Sequence, residues 1–342
     1  MKKEIERATI EDVARLAGVS HATVGRVVGN YGSVSDKTRK RVMEAIESLN
    51  YKPNAVAQSL RSNKTNILGV IVSSIDNNFF SKVISSIENE AMKSGYSVMV
   101  CSTHENAQEE LKLVRVMQNR RVDGIIMSSL GDNKLAAELQ SYSMPIVFID
   151  QSIPNFPFDQ IDSTHYQGTF EATEYLIGLG HKKIGVLATS KFPSVRQRLQ
   201  GYQDALHKHG IPYDHTLIAD SHEWDWNLGQ RMLRDLLVIN HDITAILVLN
   251  NNLCDSVVLG MRELNKKIYE DISLLTWDDT PLNEILGISA IVQFPEIIGR
   301  LAVSQALKRV EESSSGSLEK EETYYKKLDT QLVIRESCRK IT

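Results

Sequence analysis

Cysteine is scarce in this 342-residue chain. Only Cys101, Cys254 and Cys338 occur, far apart, with no Cys-x-x-Cys pair and no Cys/His ligand spacing. That argues against a zinc knuckle, a disulfide scaffold and a dithiol redox pair. Long apolar runs are missing as well. The longest, such as 243–249, are strand-length, well short of the ~18–20 residues of a membrane helix. The first residues, Met1 to Arg7, are charged and lack the apolar core of a secretory signal. A reduced, cytoplasmic setting with no membrane partner is therefore expected. Also absent are the phosphate loop Gly-x-x-x-x-Gly-Lys-Ser/Thr, the dinucleotide Gly-x-Gly-x-x-Gly and the Gly-x-Ser-x-Gly elbow. No cofactor or metal is expected, and an enzyme on this scaffold would lack a recognisable nucleophile or cofactor loop.

What is present is an ordinary globular composition, 24% charged and 42% hydrophobic, in a chain long enough for two to three domains. The net charge of -4 hides an asymmetry. Residues 1–66 hold 12 Lys/Arg against 7 Asp/Glu, a net of +5, and the remainder is net -9. A basic head on an acidic body suggests that the head meets a polyanion.

Within the head, Thr9-Ile10-Glu11-Asp12 resembles a helix-capping box with Asp in the closing position. Ile10, Val13, Ala14 and Ala17 follow at helical spacing, and Gly18 ends the helix. Ser20 caps a second helix running to about Val28. Two short helices joined by a tight Gly-containing turn form the helix-turn-helix signature. At 100° per residue, Val24, Val27 and Val28 face inward, while His21, Ala22, Gly25 and Arg26 lie on the opposite arc. That arc would enter a major groove. Arg26 suits a guanine edge or a phosphate, His21 a base edge, and Ala22 a thymine methyl. Ser35 caps a third helix with Val42, Ala45, Ile46 and Leu49 on one face, and Lys37, Arg39, Lys40 and Arg41 near its start suit phosphates. Tyr51-Lys52-Pro53-Asn54 stops it. A two-turn helical piece at 55–61 follows, in which Leu60 is placed to wedge between base steps in the minor groove.

These residues in this order resemble the LacI/GalR family of bacterial transcriptional regulators. The likeness runs through Thr9-Ile10-Glu11-Asp12-Val13-Ala14, Ala17-Gly18-Val19-Ser20, Thr23-Val24, Arg26-Val27-Val28, Val34-Ser35, Thr38-Arg39 and 49–54, and on to Ala57 and Leu60. It implies a homodimer on a pseudo-palindromic operator, with paired hinge helices inserting Leu60 at its centre. The DNA-facing set it implies is Thr9, Ser20, His21, Ala22, Thr23, Gly25, Arg26, Ser35, Thr38, Asn54, Ala57 and Leu60. Gly25 departs from the family's usual Ser and removes a hydroxyl; Gly29 stands where Asn is common. An operator sequence therefore does not carry over from relatives.

From Ile67 onward, apolar strand runs alternate with helical stretches. Strands are expected at 68–73, 97–102, 124–128, 146–150, 184–188, 245–249, 272–276 and 288–292, an α/β pattern with parallel sheets and two lobes. Ligands in such sheets bind beyond the carboxyl ends of the strands. The resemblance extends over this region through Leu68-Gly69-Val70-Ile71-Val72, Asn77, Phe79-Phe80, 122–126, Leu179-Gly180-His181, Arg198-Leu199, Gly201-Tyr202 and Asp271-Ile272-Ser273. It implies a periplasmic-binding-protein-like body crossed three times by the chain. The expected division is a flexible 1–8, a helix-turn-helix domain at 9–52 and a hinge at 53–66. A first lobe follows at 67–164 with 292–322, then a second at 165–291 with 323–336. A last strand at 328–335 is expected to close the second lobe.

Pocket candidates are Asn77, Phe79, Asp150, Arg198, Trp224, Asn251 and Gln293. Asp150 ends a strand and suits paired hydroxyls. The resemblance makes Arg198 a cationic clamp and places an aromatic near Trp224, with Trp226 as the alternative. Asn251 replaces the family's usual Asp, and an amide both donates and accepts where a carboxylate only accepts. The set suits a carbohydrate effector; a purine and a phosphocarrier corepressor protein remain alternatives. Asp278-Asp279 point to opposite faces if extended, so they do not form an acid/base pair. His207-x-His209 splays apart on a helix. The sequence thus reads as a nucleoid-associated regulator, most simply a repressor. A transport-type binding protein shares only the body.

Overall fold

The computed structural model describes residues 8–29, 31–52, 64–131, 133–151, 153, 156–222, 225–315 and 322–341. The chain divides into two units, residues 1–65 and 66–342. In the first, three helices form where caps and apolar spacing coincide. Helix α1 (Ile10–Ala17) starts at Thr9 with a complete capping box and stops at Gly18, whose φ of 63° only a residue without Cβ adopts freely. Helix α2 (His21–Val28) starts at Ser20, which accepts from the Thr23 amide. Helix α3 (Asp36–Ser48) starts in the same way at Ser35 and Thr38. Val13, Ala14, Ala17, Val24, Val27, Val42 and Ala45 close a small core, against which Val28 is partly buried.

The second unit holds two six-stranded sheets. The strands of the first are β1 (Ile67–Val72), β2 (Ser97–Ser102), β3 (Gly124–Met127), β4 (Ile146–Ile149), β5 (Asp159–Ser163) and β11 (Tyr325–Leu328), in the order β11-β5-β4-β3-β1-β2. The second contains β6 (Ile184–Ala188), β7 (Ile218–Asp220), β8 (Ala245–Val248), β9 (Ser273–Trp277), β10 (Ser289–Val292) and β12 (Gln331–Val333), in the order β12-β10-β9-β8-β6-β7. All pairings are parallel except β10 with β12. Helices cover both faces, as buried strands such as β8, apolar throughout, require. Around the first sheet lie α4 (Asn78–Lys93) and α12 (Pro295–Ser315) on one face, with α5 (Ala107–Asn119) and α6 (Asn133–Leu139) on the other. Around the second lie α7 (His165–Gly178) and α8 (Pro193–Lys208), opposite α9 (Leu228–Ile239) and α10 (Asn251–Glu263); α11 (Pro281–Ile285) follows β9.

The chain passes between the sheets after β5, after β10 and between β11 and β12. The last two crossings lie beyond the expected 291/292 and 322/323. The strand expected at 328–335 is present as the shorter β12, Gln331–Val333, at the edge of the second sheet, whereas β11, which ends at Leu328, was not expected. Strand β11 stays with the first sheet because Tyr325–Leu328 pairs with β5. Just before it, the Tyr324 amide donates to Asp159, which also takes two hydrogen bonds from Arg309 and one from Gln305 on α12. Burial alone would raise the Asp159 carboxyl, but these donors hold it below the usual carboxylate range. The first and third crossings are joined where the Thr330 amide donates to Thr164 Oγ1 at 3.0 Å.

Candidate functional site

In the head, His21, Ala22 and Arg26 are exposed along α2, while Val24 and Val27 are buried. The outward arc expected from helical angles is therefore the solvent face. Gly25 and Thr23 are half-buried beside it. The Ser20 and Ser35 hydroxyls each bond the neighbouring threonine hydroxyl, of Thr23 and Thr38, at 2.9 Å, and Thr9 Oγ1 donates to Asp12. These hydroxyls are thus engaged as helix caps. Asn54, Ala57 and Leu60 lie outside the described residues, as does Trp224.

In the body, a cleft runs between the two sheets at the carboxyl ends of their strands, as the open α/β arrangement dictates. Its empty space, open mouth included, is about 410 Å³. The first lobe contributes Ser73, Asn77, Phe79 and Phe80 after β1, Glu105 after β2, and Asp150 and Gln151 after β4. The second contributes Phe192, Ser194, Val195 and Arg198 after β6, 250–252 after β8, Asp278 after β9 and Gln293 after β10. Six of the seven pocket candidates, Asn77, Phe79, Asp150, Arg198, Asn251 and Gln293, are thus brought together. Trp226, the alternative to Trp224, is exposed and is not among the cleft residues.

Arg198 is the centre of the floor. It sits in the second turn of α8, 5% exposed, with its guanidinium 3.9 Å from the ring centre of the fully buried Trp277. One Nη1–H donates to the Leu249 carbonyl at 2.7 Å, and Nε–H points at His165 Nδ1, 3.4 Å away. With Nδ1 accepting, the ring proton of His165 sits on Nε2, which faces Asp162 Oδ1 at 3.0 Å. Two carboxyls flank the guanidinium. Asp150 and Asp278 are strand-end residues with φ of 59° and 65°, the left-handed region that Asp tolerates better than most side chains. Burial raises both. It pushes Asp278 to about 6 against the opposing pull of Arg198 and of a Gln293 hydrogen bond. Burial also lowers Arg198 to about 10, with Asp150 and Asp278 resisting.

Acceptors are in surplus. Asp150 Oδ1, Gln151 Oε1 and Gln293 Oε1 are buried with no hydrogen-bond partner among the described residues, against one such donor at the floor, Trp277 Nε1. At the mouth, two links join the lobes. The Asn77 amide donates to Asn251 Oδ1 at 3.0 Å while the Asn251 amide donates back to Asn77 Oδ1 at 2.9 Å. Beside them Lys191 donates to Glu105. Asn77 also caps α4 through the Phe79 amide. The Asn at 251 is what allows the return bond, because a carboxylate has no proton to give.

Several residues of this site were not expected from sequence. Asp278 stands out only by the strand-end rule; as expected, its neighbour points away, and Asp279 pairs with Arg335. Trp277 and His165 gave no periodic signal. Among the other histidines, His209 bonds Glu174 and His181 is buried between Thr244 and the Arg339 carbonyl, a structural role. No group of three metal-ligating side chains occurs among the described residues, and none of their helices is long and apolar enough to cross a membrane.

A capped helix pair with an exposed reading face, and a polar cleft between two parallel sheets, define a DNA-binding transcriptional regulator that responds to a small molecule. The comparisons agree. Residues 9–54 match the family of bacterial regulatory proteins of the LacI type, and residues 65–318 match the periplasmic binding proteins and sugar binding domain of the LacI family. The chain belongs to the LacI family. It is 32% identical to the ribose operon repressor of Haemophilus influenzae, over 89% of this chain and 92% of that one. It is 29% identical to the transcriptional repressor PurR of Photobacterium profundum, over 97% and 99%. Among solved structures, a lac repressor dimer bound to operator and the anti-inducer ONPF superposes with a TM-score of 0.84 at 28% identity, covering 98% of this chain and all of that one. The named relatives are transcriptional repressors.

Proposed function

We propose that this chain is a non-enzymatic repressor of the bacterial cytoplasm. It binds a pseudo-palindromic operator as a homodimer, and a neutral, hydroxyl-rich effector in the inter-lobe cleft sets its operator affinity. His21, Ala22 and Arg26 read bases, and Thr9, Ser20, Thr23, Gly25, Ser35 and Thr38 lie where phosphates pass. Asn54, Ala57 and Leu60 complete the contact on the hinge side. Asn77, Phe79, Asp150, Arg198, Asn251 and Gln293 hold the effector. The observation that carries the effector class is the acceptor surplus around Arg198. Three buried oxygens await donors, and hydroxyls supply them. Asp150, Asp278 and Glu105 outnumber Arg198 and Lys191 in and around the cleft, which disfavours a phosphorylated ligand. The relative named as a ribose operon repressor supports an aldopentose in particular.

Coupling needs unequal effector affinity for DNA-competent and DNA-incompetent states; ~1–3 kcal/mol corresponds to about 5–150-fold in operator affinity. The test is a thermal-shift panel of D-ribose, D-ribose 5-phosphate, hypoxanthine and hexoses on the full-length protein, followed by operator binding with each hit. A free pentose or hexose is expected to stabilise, and its phosphate is not. In Arg198→Lys, which keeps the charge between Asp150 and Asp278 but loses the planar fork, the sugar shift should vanish while ligand-free operator binding stays within about twofold. A sugar shift that survives Arg198→Lys removes Arg198 from the site. A hypoxanthine shift favours a purine effector stacked on the cleft rings of Phe79 and Phe192. No shift from any compound favours a protein corepressor.

A further inference from the structure

One contact in the head is used neither by the core nor by the caps. His21 Nε2, on the first residue of α2, lies 3.2 Å from Oε1 of Glu11, on the second residue of α1. Both side chains leave backbone that is fixed by a cap, Thr9 on one side and Ser20 on the other. The other acid of that turn, Asp12, is engaged with Thr9 and Arg15. Glu11 is thus the acid that reaches the reading helix, and it sits in the part of the chain that would approach phosphates. An acid there weakens DNA binding through repulsion, so its contact with a base-reading side chain calls for an account.

We propose that Glu11 is a positioning residue that sets which class of base His21 reads. The inference rests on α2 being the recognition helix. A carboxylate only accepts, so the imidazole nitrogen facing it carries the ring proton. The other nitrogen, Nδ1, is then an acceptor and faces away from Glu11. An acceptor in the major groove pairs with an exocyclic amine, adenine N6 or cytosine N4; a donor there pairs with guanine O6 or N7, thymine O4 or adenine N7, and cytosine alone offers it no acceptor. The Glu11 contact therefore selects adenine or cytosine at one position of each half-site.

The test is selection of half-sites from randomised DNA by the full-length protein at pH 8. The wild type should favour adenine or cytosine about tenfold at one position, and His21→Ala should flatten that position alone. Glu11→Lys places a donor-only group against Nε2, moves the ring proton to Nδ1 and should admit guanine and thymine at the same position while excluding cytosine. The added lysine charge strengthens all sequences alike and leaves a base preference untouched. Glu11→Ala, which disturbs the head least, should lose most of the tenfold preference because neither tautomer is then favoured. If His21→Ala flattens the position while Glu11→Lys and Glu11→Ala keep the wild-type exclusion of guanine and thymine, Glu11 does not position His21 and the proposal falls. If His21→Ala flattens no position, the assignment of His21 as a base reader fails and the proposal fails with it. A merely structural Glu11 would change affinity across all sequences without changing which bases are admitted.

Discussion

At the residue scale the cleft concentrates charge where burial penalises it. Asp278 shows the consequence. Its carboxyl is raised by burial to about 6 from an ordinary 3.8, so the folded state resists its ionisation. The stability tied to this group is fully present below the unfolded value of about 3.8 and is lost as pH rises through about 6. Asp278→Asn keeps an acceptor for Gln293 and tolerates the same left-handed backbone, but it has no charge to bury. The variant should gain stability over wild type between pH 4.5 and pH 7.5, by on the order of 1–3 kcal/mol. Calorimetric melting at both pH values checks this, and a gap that does not change with pH would mean that Asp278 ionises freely. Legibility at this scale was good for polar residues that end apolar runs. Asp150, Asn251 and Gln293 stood out because hydrophobicity stops there. His165 and Trp277 did not, because a buried side chain that orients a neighbour leaves no pattern in sequence.

At the element scale, the strands read from sequence are those whose side chains are apolar on both faces. Strand β5 escaped because it buries charge: Asp159, Asp162 and Ser163 occupy a strand whose partners are Arg309, from the distant α12, and His165, the first residue of the helix that follows. Strand β11 escaped because Tyr325, Lys326 and Lys327 are exposed and carry no apolar alternation; only its pairing with β5 marks it as a strand. The helices were legible through their caps and faces, but the closeness of a helix pair was not. Helices α7 and α8 pack so tightly that a Cβ on Gly201 would lie 2.3 Å from the Tyr166 carbonyl oxygen and 3.0 Å from the Phe170 nitrogen. Backbone cannot yield as a side chain can. Gly201→Ala is expected to cost about 1–3 kcal/mol by overpacking. Gly178→Ala, at the end of α7 with open space around it, should be neutral or stabilising by up to ~1 kcal/mol. Melting temperatures of the two variants decide it, and a Gly201→Ala protein that melts with wild type would show that the helices move apart without cost.

At the scale of the whole body, the lobes are joined covalently by three crossings, at the cleft floor by His165 against Asp162, and across the mouth by the Asn77–Asn251 amide pair and the Lys191–Glu105 ion pair. The mouth links bias the equilibrium toward closure before any effector arrives. Replacing Asn251 by Asp removes the return bond, and Lys191→Met removes the ion pair. Together they should raise amide hydrogen exchange about tenfold in segments 77–80 and 250–252 while leaving the buried strand 184–188 unchanged. Equal exchange in the double variant and wild type would show that the cleft is held shut by other contacts. The third crossing has a further consequence, for synthesis. The first sheet lacks its edge strand until residue 328 has been made, and the second until residue 333. The head core, by contrast, is complete within its first fifty or so residues. On the ribosome the reading helices can therefore form long before either sensing lobe. A premature stop late in the body but before β11 leaves the complete DNA-reading head attached to two sheets that each lack an edge strand. Such a fragment is a substrate for proteases; it is not a repressor deaf to its signal.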